Sequence, residues 1–394
     1  VPWRFRTHRF TSGLFVVLLA YLAMIVVIDE LTSRYMRLDV YAAIAPVVAA
    51  ALCTYRQTIV IGALDFIAMT AIYGVLPADV PAITRAGAIL SNALMVGASI
   101  AVARLLRDRE ALLERERATG EAAQRALLRQ LPLRTREVVV DGFYVSSQRD
   151  ALVGGDLYEA VQTPYGTRVL IGDVQGKGLS TLGAGAAVLT AFREAAYHRR
   201  SLTSGVVAME QGLGRYNAST QEQSSPDAPE RFVTALVLGT DDTARERADG
   251  EPPRQDEAIP LLIVNCGHCA PYLIGPDGSV REVELEEPGL PLGLGELADH
   301  VRQTQRVVLP PGCRLLACTD GVTEARAADG SFYPLADRLD RWAALSTPAL
   351  LGRLRTDLAA HTGGHLQDDA AALIMERLPV ADQRPREAPV ADRL

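Results

Sequence analysis

Lysine is almost missing from this chain of 394 residues. Lys177 stands alone among 40 basic residues, and the other 39 are arginine. So uniform a preference reads as compositional bias, and no arginine patch is inferred from it. Cysteine is scarce as well. Cys53, Cys266, Cys269, Cys313 and Cys318 are too few for a disulfide scaffold and suit a reducing compartment. Cys266-x-x-Cys269 has no second cysteine pair at ligand spacing, which argues against zinc or redox chemistry there. The Gly-rich segment around Lys177 lacks P-loop spacing, so its glycines serve a tight turn. Positive charge is short after the first quarter. Residues 105–394 hold 32 basic and 42 acidic residues, a net −10, beside 8 basic and 5 acidic in residues 1–104, and together these make the −7 of the whole. An acidic soluble part argues against a nucleic-acid surface.

Apolar length is what the first third has in abundance. Four stretches, at about 12–28, 40–53, 58–76 and 83–102, organise residues 1–104. The first, third and fourth approach the ~20 residues that a bilayer span requires, and the second is shorter and Ala-rich. A signal peptide would be followed by a small-residue cleavage site, and none follows the first stretch. A buried soluble bundle would show polar faces at helical period, and these stretches show almost none. Arg4, Arg6 and Arg9 precede the first stretch, Arg56 sits between the second and third, and Arg104, Arg107 and Arg109 follow the fourth. The positive-inside rule then predicts four spans with both termini cytoplasmic. Asp65 falls inside the third. It is read either as a sensing or ion-linked site or as a polar contact within the bundle.

The chain is long for one core, and its periodicity changes twice more. Residues 105–131 are rich in Arg, Glu, Leu and Ala and predict a helical stalk. Leu105 and Leu112, with Leu106 and Leu113, fall at heptad spacing, which suits a parallel homodimer, interrupted at Thr119-Gly120. A monomeric amphipathic linker is the alternative. Pro132 closes the segment. Beyond it, strand-like runs at 138–140, 142–146, 168–172, 231–239, 260–265, 270–274, 301–309, 314–318 and 370–375 alternate irregularly with helical segments at 182–199, 202–216, 333–344 and 348–362. The reading is α+β for residues 132–379. Residues 217–230 and 240–258 read as surface insertions, and 380–394 as a polar, disordered tail.

The chemistry lies in aspartates that sit beside glycine or another acid. They are Gly154-Gly155-Asp156, Gly172-Asp173-Val174-Gln175-Gly176-Lys177-Gly178, Thr319-Asp320-Gly321 and Asp368-Asp369. One Asp-Gly pair is ordinarily a turn. Four acids at strand edges can converge across a sheet sandwich, where their mutual repulsion makes sense only with a divalent metal. Asp156, Asp173, Asp320 and Asp368 are the candidate catalytic and metal-binding residues.

In order along the chain, several motifs resemble the bacterial PP2C-type (PPM) serine/threonine phosphatases of the SpoIIE/RsbU-like branch. They are Gln124-Arg-Ala-Leu-Leu-Arg-Gln-Leu-Pro132, Val153-Gly-Gly-Asp-Leu-Tyr158, the Gly172–Gly178 run, Phe232-Val-Thr-Ala-Leu236, Asn265-Cys-Gly-His268, Gly289-Leu-Pro-Leu-Gly293, Thr319-Asp-Gly-Val-Thr-Glu324 and Asp368-Asp369. The resemblance implies a β-sandwich flanked by helices, here preceded by a transmembrane helical bundle, with two Mn²⁺ or Mg²⁺ ions. Asp173 would bridge them, and the Val174 carbonyl would help hold the first. Asp156, Asp320 and Asp368 would bind the second, with Asp369 orienting the last ligand. A water held by the metals would attack phosphorus directly, without a phosphoenzyme. The substrate implied is a phosphorylated anti-anti-sigma-like protein, and the location a multi-pass plasma-membrane protein with its catalytic domain cytoplasmic. Arg149-Asp150, Glu159 and Cys269 depart from the family pattern, but none replaces an expected ligand. His268 could protonate a leaving alkoxide, whereas the resemblance places it at a structural turn. Two other classes compete. A non-catalytic membrane scaffold is opposed by the intact aspartates. Another two-metal phosphoryl-transfer enzyme, such as a nucleotidyl cyclase, would require a base- and ribose-recognition site, which the sequence does not display.

Overall fold

The computed structural model describes residues 3–32, 39–74, 81–147, 154–176, 178–223, 230–240, 258–285, 289–297 and 302–377. Two compact units divide the chain, Val1–Glu116 and Arg117–Leu394.

The first unit is helical: α1 (Trp3–Thr32), α2 (Asp39–Ala42), α3 (Ile44–Leu52), α4 (Tyr55–Gly74) and most of α5 (Ala82–Leu127). The four apolar stretches of the sequence lie on α1, α3, α4 and α5. Among the described residues, Ala82–Leu112 is the one segment long and apolar enough to cross a membrane, and Gly13–Asp29 is a shorter apolar helix. Leu18, Ala45, Ala49 and Ile61 form one buried cluster, and Leu22, Ile25, Ala42 and Met69 another. Large apolar side chains point outward instead, among them Val16, Val47, Ile67 and Leu94. The expected span and stalk are one unbroken helix, α5, which runs through Thr119-Gly120 and stops at Leu127 rather than Leu131.

The second unit is built from two antiparallel sheets. Its strands are β1 (Leu133–Arg134), β2 (Val138–Val145), β3 (Asp156–Thr163), β4 (Gly166–Val174), β5 (Val233–Thr240), β6 (Ile259–Cys266), β7 (Tyr272–Ile274), β8 (Val280–Glu282), β9 (Gln305–Leu309), β10 (Arg314–Cys318) and β11 (Ala370–Arg377). The helices are α6 (Leu179–His198), α7 (Leu202–Gln223), α8 (Asp320–Thr323), α9 (Leu335–Trp342) and α10 (Thr347–His361). One sheet has the order β1-β2-β11-β10-β7-β8, the other β3-β4-β5-β6-β9.

Strand alternation explains the layers. Along β4, Val169 and Ile171 enter the core between the sheets, while Leu170 and Val174 pack with Val188, Phe192 and Met209 of α6 and α7. Along β11, Leu373 and Met375 face the inter-sheet core, while Ala372 and Ile374 pack with Leu339, Leu350 and Leu354 of α9 and α10. Both sheets are therefore covered on both faces, which is why their central strands read as continuous apolar runs.

Three details depart from the sequence expectation. A strand, β3, begins at Asp156 and was not among the expected strands, whereas the expected strand before it is β2. Asp320 opens α8 rather than ending a strand. The expected insertion at 217–230 is helical as far as Gln223, where α7 ends. Lys177, Arg149-Asp150, Val153, residues 241–257 of the second insertion and the tail 380–394 lie outside the described residues.

Candidate active site

The four aspartates start from different places. Asp156 begins β3 and pairs across the ladder with Asp173 near the end of β4. Asp173 in turn faces Thr234 at the start of β5. Asp320 follows β10, and Asp368 and Asp369 precede β11, the strand paired with β10. All these chain ends lie at one edge of the two sheets, and hydrogen bonds join the sheets there. Thr319 Oγ1 donates to Asp156 Oδ2 over 2.7 Å and accepts from the Ala371 amide at 2.9 Å. Asp369 accepts from the Gly155 amide at 3.0 Å and from the Ser147 amide at 2.7 Å.

Gly155 shows why the motif requires glycine. A Cβ there would run into the Asp173 carboxylate and come within 2.6 Å of the Val174 carbonyl oxygen. The residue thus leaves open a space bounded by a carboxylate and a carbonyl oxygen, both hard donors. Gly321 plays the matching part on the other sheet, where a Cβ would collide with the Asp369 backbone.

The electrostatics are those of crowded carboxylates. Burial, then the charge of Asp173, holds the Asp156 carboxyl well above the usual range. Asp173 is pushed up to about 7 by burial, followed by Asp320, Asp368 and Asp369. Asp320 is raised by burial and then by Asp368, and Asp369 chiefly by burial. Among the largest influences on these groups, no cation offsets the repulsion. Among the described residues, no three His, Cys, Asp or Glu side chains form a ready-made ligand sphere. The donor chemistry nevertheless fits a hard divalent cation: carboxylate oxygens and a backbone carbonyl around a glycine-made opening, with negative charge in excess.

His268 is held in place by its neighbours. Its backbone amide donates to Asn265 Oδ1 at 2.7 Å, its carbonyl accepts from Asn265 Nδ2 at 2.9 Å, and its Nδ1 shares a hydrogen bond with Thr234 Oγ1 at 3.0 Å. Burial lowers its pKa to about 4, so the ring is neutral near pH 7. Cys266 is buried in the core between the second sheet and its helices, and all five cysteines are free.

Sequence reasoning passed over two residues. Thr319 was quoted only as the residue before Asp320. Gln124 was part of the lead-in motif and had no role. In the structure the Gln124 side chain is buried near the end of α5 and engages the Gly-Gly-Asp backbone directly. Its Oε1 accepts from the Gly154 amide at 3.3 Å and from Tyr144 Oη at 3.2 Å. Its Nε2 donates to the Asp156 carbonyl at 3.2 Å and to the Gly154 carbonyl at 3.5 Å. The Leu127 carbonyl, at the last residue of α5, accepts from Arg193 Nη2 at 2.6 Å, and Arg193 also pairs with the buried Glu159 of β3. The one sequence signal for Gln124 was its place at the head of the Gln124–Pro132 motif.

A family model described as Stage II sporulation protein E (SpoIIE) matches residues 163–378, more than half of the chain. The chain belongs to the SpoIIE family. The SpoIIE match takes in Asp173, Asp320 and Asp368 and begins just after Gly154-Gly155-Asp156. Among solved structures, the SiaA-PP2C domain of Pseudomonas aeruginosa is similar with a TM-score of 0.51 at 19% identity, over 69% of this chain and 98% of that one. The RsbU and RsbW domains of Rv1364c from Mycobacterium tuberculosis match at 23% identity and a TM-score of 0.46, over 62% of each chain. The catalytic domain of the serine/threonine protein phosphatase PstP, solved in complex with 2 manganese ions, matches at 14% identity and a TM-score of 0.42, over 61% of this chain and 99% of that one. Against curated protein sequences there is no significant match. The helix-flanked pair of sheets is thus a PP2C-like fold, and this SpoIIE-family chain is a protein serine/threonine phosphatase of the PPM type.

Proposed function

We propose that this chain is a membrane-tethered phosphatase that hydrolyses phosphoserine or phosphothreonine on a small regulatory protein of the anti-anti-sigma kind. The observation that carries the reading is the crowding of Asp156, Asp173 and Asp320 beside Asp368 at one sheet edge, with no offsetting cation among the largest influences on the first three. Two Mn²⁺ or Mg²⁺ ions would be held there. Asp173 would serve both, the Val174 carbonyl the first, and Asp156, Asp320 and Asp368 the second. When bound, such ions supply the Lewis acidity that activates a water and neutralise charge on the phosphoryl group. The protein's own groups fix the donors. Thr319 Oγ1 orients Asp156, and Asp369 anchors the Gly155 amide beside the opening. His268, neutral and held through Nδ1, braces Thr234 opposite Asp173 and serves as a structural group. No side chain is assigned as a nucleophile.

The domain reading is residues 1–104 as a four-helix transmembrane region, 105–131 as a stalk that pairs two copies, 132–379 as the phosphatase domain and 380–394 as a tail. The outward apolar side chains on α1, α3, α4 and α5 support a lipid-facing surface, since so much exposed apolar area is costly in water. Leu105, Leu106 and Leu112 are exposed on α5, as an unpaired seam would be. A reporter joined after Arg109 should be cytoplasmic. An extracytoplasmic reporter would overturn the four-span topology.

The full-length protein, supplied with Mn²⁺ and a phosphorylated anti-anti-sigma protein, should release phosphate. Release from a phosphotyrosine peptide or a nucleotide, with none from phosphoserine, would refute this reading and favour another two-metal phosphoryl enzyme.

A further inference from the structure

One buried polar pair lies in the helical unit. On α4, Thr58, Ile61, Asp65 and Met69 are almost wholly buried, and on α5 Val96, Ser99 and Ala103 are buried too. Ile61 and Met69 pack with residues of α1 to α3, and Thr58 Oγ1 donates to the Ala49 carbonyl, so those positions face away from α5. The helix meets α5 at Gly62, where a Cβ would come within 2.8 Å of Val96 Cγ1. Asp65 lies one turn from Gly62, and Asn92 one turn from Val96. Here Asn92 Nδ2 donates to Asp65 Oδ2 at 2.8 Å.

That bond leaves a specific deficit. Asp65 Oδ1 and Asn92 Oδ1 are both buried, and neither has a hydrogen-bond partner. Both are acceptors if the carboxyl is ionised, so the pair would bury a negative charge and two unsatisfied oxygens among apolar side chains. A single proton on Asp65 Oδ1 removes the charge and turns one orphaned acceptor into a donor for the other. With the Asn92 Nδ2–Asp65 Oδ2 bond already made, that second bond would close a ring of acid and amide.

We infer that Asp65 and Asn92 form a proton-binding site between α4 and α5, in which the bound ligand is one proton on Asp65 Oδ1, donated to Asn92 Oδ1. The site is independent of the phosphatase reading and touches none of its residues.

The test uses the full-length chain in lipid vesicles near neutral pH. The infrared difference between wild type and Asp65→Asn should show a protonated-carboxyl C=O band in the wild type alone. The Asp65→Asn protein should keep the wild-type melting temperature, because an amide N–H replaces the acid O–H in the same ring. Asp65→Ala and Asn92→Ala should each melt lower. An ionised-carboxylate band at Asp65, or an Asp65→Asn protein melting as low as Asp65→Ala, would overturn the inference. So would stabilisation of the wild type by added Na⁺ or K⁺ that Asp65→Asn abolishes, since the ligand would then be a metal cation.

Discussion

Each unit of this chain buries carboxylates, and the two do so in opposite surroundings. Asp65 stands singly against Asn92 in an apolar helix seam, where one amide is its partner. Asp156, Asp173, Asp320 and Asp369 are brought together with the exposed Asp368 at the edge of two sheets, where each of the first three is raised in part by its carboxylate neighbours. A lone buried acid can be neutralised by a proton. A crowd of them, arranged around a glycine-made opening, concentrates more charge than one proton removes and suits divalent cations. The number of acids in a place, and not burial as such, separates a helix tie from a catalytic centre.

The largest effect that would test this contrast is at Asp173. Asp173→Asn should lower Mn²⁺-dependent phosphate release by at least about 100-fold, since the role proposed for it serves both ions and would matter more than the outer-shell contacts that cost about 10- to 100-fold. The fold should be retained, as circular dichroism would check. Wild-type turnover would erase the distinction between the two regions.

Gln124→Ala should cost about 10- to 100-fold in activity and raise the Mn²⁺ concentration needed for half-maximal rate. The reason is that Gln124 holds both the amide and the carbonyl of Gly154 and the carbonyl of Asp156. An unchanged metal titration would mean that the end of α5 only abuts the site.

Stability against pH separates the histidine from the acids. His268 has its pKa lowered from 6.5 to about 4 by burial, so between those values the unfolded chain binds the extra proton. Stability should therefore fall as pH drops from about 6.5 toward 4, by up to about 3 kcal/mol. His268→Ala should be less stable than wild type near neutral pH and should lack this slope, with a milder rate defect than Asp173→Asn. A rate loss equal to that of Asp173→Asn with unchanged melting would make His268 a catalytic residue.

Asp173 should act with the opposite sign. Asp173 is raised from 3.8 to about 7, so the folded state binds the proton more tightly. Its contribution is full below the unfolded value and is lost as pH rises through about 7. With chelator, this group's contribution to melting should decline between about pH 4 and about pH 7, and Mn²⁺ should flatten that decline. Equal profiles with chelator and with Mn²⁺ would show that the acids do not titrate as a cation site.

Much of the fold was legible because both faces of the central strands are buried, which leaves apolar runs such as 169–172 and 315–318. β3 was missed for a physical reason. Its sequence, Asp-Leu-Tyr-Glu-Ala-Val-Gln-Thr, sets two acids in a strand that is almost entirely buried, and Glu159 is tolerated there because Arg193 from α6 pairs with it. That partner is 34 residues away and leaves no local trace. The polar Ser, Thr and Gln residues after Tyr216 look like a loop, yet α7 carries them in its last turns, where exposed polar residues cost a helix little. Thr319 was hidden by its neighbour, since nothing beside it in the chain foretells Asp156 as its partner.

The sequence by itself determined most of the central strands, the apolar helices of the first third and the glycine-flanked aspartates, because these are local patterns of spacing and backbone freedom. It determined the family too, through motifs in fixed order. Only the tertiary structure decided that the start of β3, the end of β4 and the turns after β10 and before β11 share one edge. It also decided that Gln124 reaches that edge from α5, and that Asp65 meets Asn92 rather than another acid. Those outcomes depend on which distant segments pack together. The burial and charge that shift a carboxyl come from neighbours in space, and adjacency in the chain does not specify them.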